Sequence, residues 1–280
     1  MAERPARRTP KAQGARVVRT ERITPHMVRV VLGGDGLADF ALAGFADHYI
    51  KLCFAPEGAD YAHPYDMAKI REEYPRKQWP TTRTYTVRSW DPVAREMAVD
   101  FVVHGDEGLA GPWAARARAG EQVTFLGPGG GYAPDPSADW HLLAGDESAL
   151  PAIAAALEQM PAEAGGYAFV EVPDAAEEQK LVAPDGVEVV WLHRGDRPVG
   201  EPLVAAVKGL EFPEGRVQAF VHGEAGFVKE IRRHLRLERG IPLAQLSVSG
   251  YWRLGQNDDA WRAVKREWNE QVEREQESNA

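Results

Sequence analysis

The chain holds a single cysteine, Cys53, among 280 residues. One thiol cannot close an internal disulfide, and one thiolate cannot hold an iron–sulfur cluster or a Cys-rich zinc site. Cys53 lies in the apolar run Ile50–Ala55, which predicts a small core residue and not a reactive one. Apolar stretches of the length that crosses a bilayer, about 18 residues, are missing. A positive excess is missing too: 33 Lys and Arg stand against 42 Asp and Glu, a net charge of −9. That excludes a broad nucleic-acid surface but leaves room for one basic pocket. Arg4, Arg7, Arg8 and Lys11 precede no apolar run, so they read as an unstructured basic arm, not a secretory signal. A cytoplasmic monomer is the expectation. No Gly-x-Gly-x-x-Gly fingerprint follows a strand pattern, and Gly127-Pro128-Gly129-Gly130-Gly131 lacks the Gly-Lys-Ser/Thr of a phosphate loop. With Pro134 and Pro136 after it, this stretch reads as a junction between domains.

What is present divides at that junction. Upstream, six short runs rich in β-branched and aromatic residues are predicted as strands: Val17–Ile23, Met27–Leu32, Tyr49–Phe54, Thr84–Trp90, Met97–Val103 and Gln122–Leu126. With one short helix near Trp113–Arg118 they suit a six-stranded antiparallel Greek-key barrel over residues 15–131. Pro56–Pro80 interrupts the rhythm with four basic residues and the aromatics Tyr61, Tyr65, Tyr74 and Trp79. It reads equally as a functional flap or as a surface insertion. Downstream, over residues 138–255, strand and helix patterns alternate, which implies a parallel α/β sheet of nucleotide-binding type. The tail, residues 256–280, has helical spacing, with Trp261, Val264, Lys265 and Trp268 on one face.

The most informative run is Arg83-Thr84-Tyr85-Thr86-Val87-Arg88. In a strand, Arg83, Tyr85 and Val87 face one way and Thr84, Thr86 and Arg88 the other. One face offers a cation for a phosphate and a ring for a flat cofactor. Gly111-Pro112-Trp113-Ala114 reads as a tight turn into a helix, whose first N–H groups suit a pyrophosphate. Gly145-Asp146-Glu147-Ser148 ends the first strand of the second half and opens its first helix; ordinary helix capping explains it as well as ligand binding does. His222-Gly223-Glu224 follows a later strand and admits the same two readings. His193-Arg194 follows the third strand of this half, placed for an adenosine phosphate or for a surface ion pair.

Six strings in order, His48–Leu52, Arg83–Arg88, Asp100–Gly105, Gly145–Ala149, Trp191–Arg194 and Gly250–Gly255, resemble the siderophore-interacting proteins, a branch of the ferredoxin reductase-like flavoproteins. The resemblance runs from about Ala15 to Trp268. It implies FAD held by Arg83, Tyr85, Thr86, Val87, Asp100, Val102, His104, Gly105, Gly111, Pro112, Trp113 and Ala114. It implies NADPH or NADH against Gly145, Asp146, Glu147, Ser148, His222, Gly223 and Glu224. It implies a ferric siderophore, bulky and often anionic, against Lys51, Arg253 and Lys265. The family often carries Arg after the Gly-Pro that ends the last barrel strand; this chain has Gly129. The implied activity is NAD(P)H-dependent reduction of ferric siderophore, with no general base. A general NAD(P)H:flavin or ferric reductase, a non-enzymatic siderophore-binding flavoprotein and an electron-transfer partner of a ferredoxin stay open at this point.

Overall fold

A computed structural model describes residues 12–106 and 108–277. The basic segment Arg4–Lys11 lies outside them. Six strands close a barrel: β1 (Gln13–Thr24), β2 (Met27–Gly33), β3 (Tyr49–Phe54), β4 (Thr81–Asp91), β5 (Glu96–Val102) and β6 (Gln122–Gly129), in the order β1-β2-β5-β4-β3-β6 with every pairing antiparallel. Closure leaves no unpaired edge. Alternation fills the interior: Val30, Leu32, Ile50, Leu52, Met97, Val99, Phe101 and Phe125 are all fully buried there.

Pro56–Pro80 is structured. It carries α1 (Met67–Glu73), whose first turn Asp66 caps by accepting from the Ala68 and Lys69 amides at 3.1 and 3.0 Å. Met67 and Ile70 pack against Tyr65, Leu126 and Cys53. Cys53 is thus a buried core residue, and burial pushes its thiol up to about 11. The short helix α2 (Ala110–Arg116) lies against β2 and β5.

The second half forms a parallel sheet. Its strands are β7 (Trp140–Gly145), β8 (Gly165–Val172), β9 (Gly186–His193), β10 (Val217–Glu224) and β11 (Leu246–Trp252), in the order β11-β10-β7-β8-β9. The connecting helices are α3 (Leu150–Gln159), α4 (Glu201–Gly209) and α5 (Ala225–Arg233). Eight of the ten α3 residues are buried, as expected of a helix apolar on nearly all sides. It lies between its own sheet and the barrel. Arg88, just where a bulge shifts the β4–β5 register, donates to Glu158 of α3 at 2.5 and 3.0 Å. Glu177, after β8, accepts from the Thr24 hydroxyl at 2.5 Å and lies 2.6 Å from His26 Nδ1.

The glycine-rich junction is also less of a linker than its composition suggests. β6 continues through Gly129. Asp47 accepts from the Gly131 and Tyr132 amides, both at 2.8 Å. His48 accepts at Nε2 from the Ala43 and Phe45 amides and donates from Nδ1 to the Gly129 carbonyl at 3.0 Å. The terminal helix α6 (Asp258–Glu277) bridges both halves. Arg262 near its start donates to the Thr82 carbonyl at 2.6 Å, and Gln276 near its end donates to the Lys229 carbonyl of α5 at 3.1 Å.

Candidate functional site

Strand β4 presents Arg83, Tyr85 and Val87 on the face it shares with Leu52 and Ile50, their cross-strand neighbours. The Tyr85 ring sits 4.3 Å from Phe101, centroid to centroid, and Phe101 leads to Trp113 at 5.5 Å and on to Phe54 at 5.7 Å. Beside this aromatic row is a cavity of about 650 Å³. Phe54, His63, Tyr65, Leu109 and Trp113 line it, with Arg116. Its floor includes Leu52, opposite Arg83. A flat ring system beside a cation is what these side chains suit.

The α2 turn adjoins the cavity. Its N-terminus has no side-chain cap, and a Cβ on Gly111 would lie 3.0 Å from the Val102 carbonyl, so glycine lets α2 start against the end of β5. Pro112 and Ala114 are buried, while Trp113 donates to Glu121 at 2.7 Å. Thr86 is buried on the opposite face, across from Tyr49. Of the twelve predicted flavin residues only Trp113 lines the cavity, and four lie on the outer wall or beyond the end of β5. Asp100 sits on the outer barrel wall, where Arg29 grips both its oxygens at 2.7 and 2.8 Å. Val102 shares that outer face, since Phe101 between them points inward. His104 and Gly105 are exposed, and His104 faces the His26 ring.

Arg83 is not a lone cation. Its guanidinium donates twice to Asp259, both at 3.0 Å, and lies 3.2 Å from Asp258. Burial raises the pKa of Asp258, while the Arg83 hydrogen bonds lower that of Asp259. The first turn of α6 thus closes on the residue predicted to hold the flavin's phosphates.

At the carboxyl ends of β7 and β10 the predicted dinucleotide residues meet. These two strands flank the switch point of the sheet, where open α/β sheets bind ligands. Asp146 is fully buried; one oxygen accepts from the Ser148 amide and hydroxyl, the other from the Glu224 amide and the Trp252 indole at 2.9 and 2.8 Å. Burial, reinforced by Glu147, pushes its carboxyl up to about 7. Glu224 caps α5, accepting from Gly226 and Phe227, and also accepts from Leu254. Gly145 and Gly223 let the ends of β7 and β10 pack closely. A Cβ on Gly145 would lie 2.7 Å from the His222 carbonyl, and one on Gly223, whose φ is +140°, would lie 2.7 Å from the Asp146 carboxyl carbon. Glu147 turns to Arg194. His222 stacks on Phe220 at 3.8 Å and meets Tyr251 edge-on at 4.9 Å. Burial, with Lys265 nearby, drives its pKa down to about 3, so the ring is neutral, and its Nδ1 has no partner.

Of the three predicted substrate cations, Lys51 has no carboxylate partner among the described residues and lies 6.0 Å from the Tyr49 ring. Arg253 covers Trp261 at 5.9 Å. Lys265 turns back to donate to the Ser249 hydroxyl at 3.1 Å, and burial lowers its pKa. A Cβ on Gly129 would lie 2.4 Å from Tyr49 Cζ, so tyrosine fills the space a larger residue would need.

Sequence reasoning missed Phe54, His63 and Leu109 as cavity walls and the two α6 aspartates as partners of Arg83. The aromatic crowding of Pro56–Pro80 was the available signal for His63; no local pattern links residues 176 positions apart.

A closed antiparallel barrel followed by a parallel five-stranded sheet is a fold shared with the ferredoxin reductase in carbazole 1,9a-dioxygenase, at 17% identity and a TM-score of 0.61 over 89% of this chain and 71% of that one. The barrel, residues 16–132, matches the siderophore-interacting FAD-binding domain, and residues 138–255 match the siderophore-interacting protein model. The chain is 36% identical to the ferric vibriobactin reductase ViuB of Vibrio cholerae, over 87% of this chain and 90% of that protein. It is 31% identical to the NADPH-dependent ferric-chelate reductase of Escherichia coli, over 84% and 91%. The crystal structure of the siderophore-interacting protein SipS from Aeromonas hydrophila superposes with a TM-score of 0.80 at 30% identity, covering 93% of this chain and 99% of that one. The chain belongs to the siderophore-interacting protein family. Among the described residues no helix is long and apolar enough to cross a membrane, and no group of three or more His, Cys, Asp or Glu side chains could hold a metal ion.

Proposed function

We propose that this protein is an FAD-dependent reductase that uses NADH or NADPH to reduce ferric siderophore and release ferrous iron. The observation that carries the reading is the cavity of about 650 Å³ lined by Phe54, Tyr65, Trp113 and Arg116, within the barrel that matches an FAD-binding domain. The donor set fits the cofactor: a guanidinium and uncapped helix amides for the phosphates, and the rings of Tyr85, Trp113 and Phe54 for its flat parts. Bound FAD supplies the conversion between two-electron chemistry with a nicotinamide and one-electron chemistry with iron.

The rest is positioning by this chain. Arg83 neutralises phosphate charge, and Tyr85 fixes the plane against which a ring rests. Thr86 offers a hydroxyl on the side facing Tyr49. The Asp146 clasp to Trp252 and Glu224 ties together the loops after β7 and β10, against which a nicotinamide would rest. Lys51, on the outer face of β3, attracts an anionic iron chelate. No proton has to move through a side chain, so close approach and orientation make up the protein's part.

A second reading, a less selective ferric reductase, draws on the placement of Lys265 against Ser249 and of Tyr49 against Gly129, which leaves Lys51 and Arg253 as the predicted substrate cations without an ion-pair partner among the described residues. Both readings require flavin. Protein stripped and reconstituted with FAD is expected to be yellow, with one flavin per chain; a colourless product would refute them. Comparable turnover of ferric citrate and ferric siderophore would favour the second.

A further inference from the structure

We propose that this chain selects NADH over NADPH, through the ion pairs that crowd the carboxyl ends of β8 and β9. The inference rests on the nicotinamide reading of the second sheet. In a parallel sheet of this order a dinucleotide lies across the switch point, with its adenosine half over the β7-β8-β9 side. NADPH differs by one phosphate on the adenosine ribose. A site that accepts it supplies a cation with donors to spare, whereas a site for the bare ribose tolerates or offers a carboxylate.

The sequence offers Arg194 as that cation, directly after β9. The structure engages it fully. It donates to Glu171 at 3.0 Å and to both oxygens of Glu147 at 3.2 and 3.3 Å, and the side chains of Arg194 and Glu147 are each only 11% exposed. Two carboxylates around one guanidinium leave a negative charge in excess. Glu171 is completely buried and also accepts from the Gly200 amide at 2.8 Å and the Leu203 amide at 3.3 Å, which ties it to the start of α4. A phosphate that drew Arg194 away would strand both carboxylates inside the protein. His193 is likewise matched, by Glu178 at 2.7 Å. Arg197 binds the carbonyl oxygens of His193 and Arg194 and thereby straps its own loop. Asp174 and Glu178 follow β8 and Asp196 follows β9, all exposed, so their charges have the same sign as the incoming phosphate.

The test has two arms on the FAD-loaded protein. Anaerobic stopped-flow measures flavin reduction by NADH and by NADPH; isothermal titration compares 5′-AMP with 2′,5′-ADP, free of any turnover. NADH is expected to be at least about tenfold more efficient, and 2′,5′-ADP to bind no tighter than 5′-AMP. Glu178→Lys, at an exposed position, is expected to raise the efficiency of NADPH by roughly fivefold or more with NADH within about twofold of the parent. Equal or better use of NADPH by the parent, or tighter binding of 2′,5′-ADP, would overturn the inference; loss of that preference in Arg197→Ala would then name the phosphate's partner. Failure of both dinucleotides to reduce a bound flavin would instead bring down the enzymatic reading, and this inference with it.

Discussion

His222 shows how a single side chain of this site ties pH to stability. Its ring is neutral, stacked on Phe220 and buried, with a pKa of about 3 against an ordinary 6.5. An unfolded chain therefore binds a proton that the folded one refuses. The sign follows: the stabilisation is complete above about pH 6.5 and is lost as pH falls towards 3. His222→Phe keeps the stack and removes the titration. Urea denaturation at pH 7 and pH 5 is expected to show a smaller loss of stability on acidification for the variant, by about 1–2 kcal/mol; equal losses would mean that His222 accepts a proton in place. Gly223 gives a second residue-scale expectation. Its positive φ and its contact with Asp146 and Phe227 leave no space for a methyl group. Gly223→Ala is expected to destabilise the fold by about 2–3 kcal/mol in the same assay. Both residues stood out in the sequence, but their jobs did not. Asp146, Glu147 and Glu224 read as nicotinamide contacts or as caps; their side chains clasp loops (Asp146), balance Arg194 (Glu147) and cap α5 (Glu224). The partners that decide this, Trp252, Arg194 and Leu254, are remote in sequence, so no local pattern reveals them.

Elements were more legible than contacts. Strand β4 was readable because alternation alone sorts Arg83 and Tyr85 from Thr84 and Thr86, and pairing with β3 preserves that sorting. Helix α6 was readable from its spacing, yet its first turn performs a task that spacing cannot express: Asp258 and Asp259 hold Arg83. Carboxylates there oppose a pyrophosphate both by occupying donors and by like charge. Flavin titration of stripped protein, followed by fluorescence, is expected to show weaker FAD binding in Arg83→Ala by about tenfold or more. The same titration is expected to show tighter binding in an Asp258→Asn, Asp259→Asn double variant, by a few-fold given the exposure of Asp259. Riboflavin, which lacks phosphate, should respond to neither change. Weaker FAD binding in the double variant would mean that the aspartates orient Arg83 for the cofactor.

Across the whole molecule, the barrel, the parallel sheet and the terminal helix emerge from composition and periodicity because each buries a continuous apolar face. The ties between the halves, Arg88 to Glu158, Glu177 to Thr24, and α6 to both, join polar side chains distant in sequence, and they fix how the barrel meets the sheet. The most direct measurement is a single anaerobic turnover: FAD-loaded protein is reduced with NADH, mixed with ferric siderophore in the presence of a ferrous-iron trap, and followed by flavin absorbance. Reoxidation of the flavin in step with two trapped ferrous ions per flavin is the expected result. A flavin that stays reduced in the presence of saturating ferric siderophore would contradict the account.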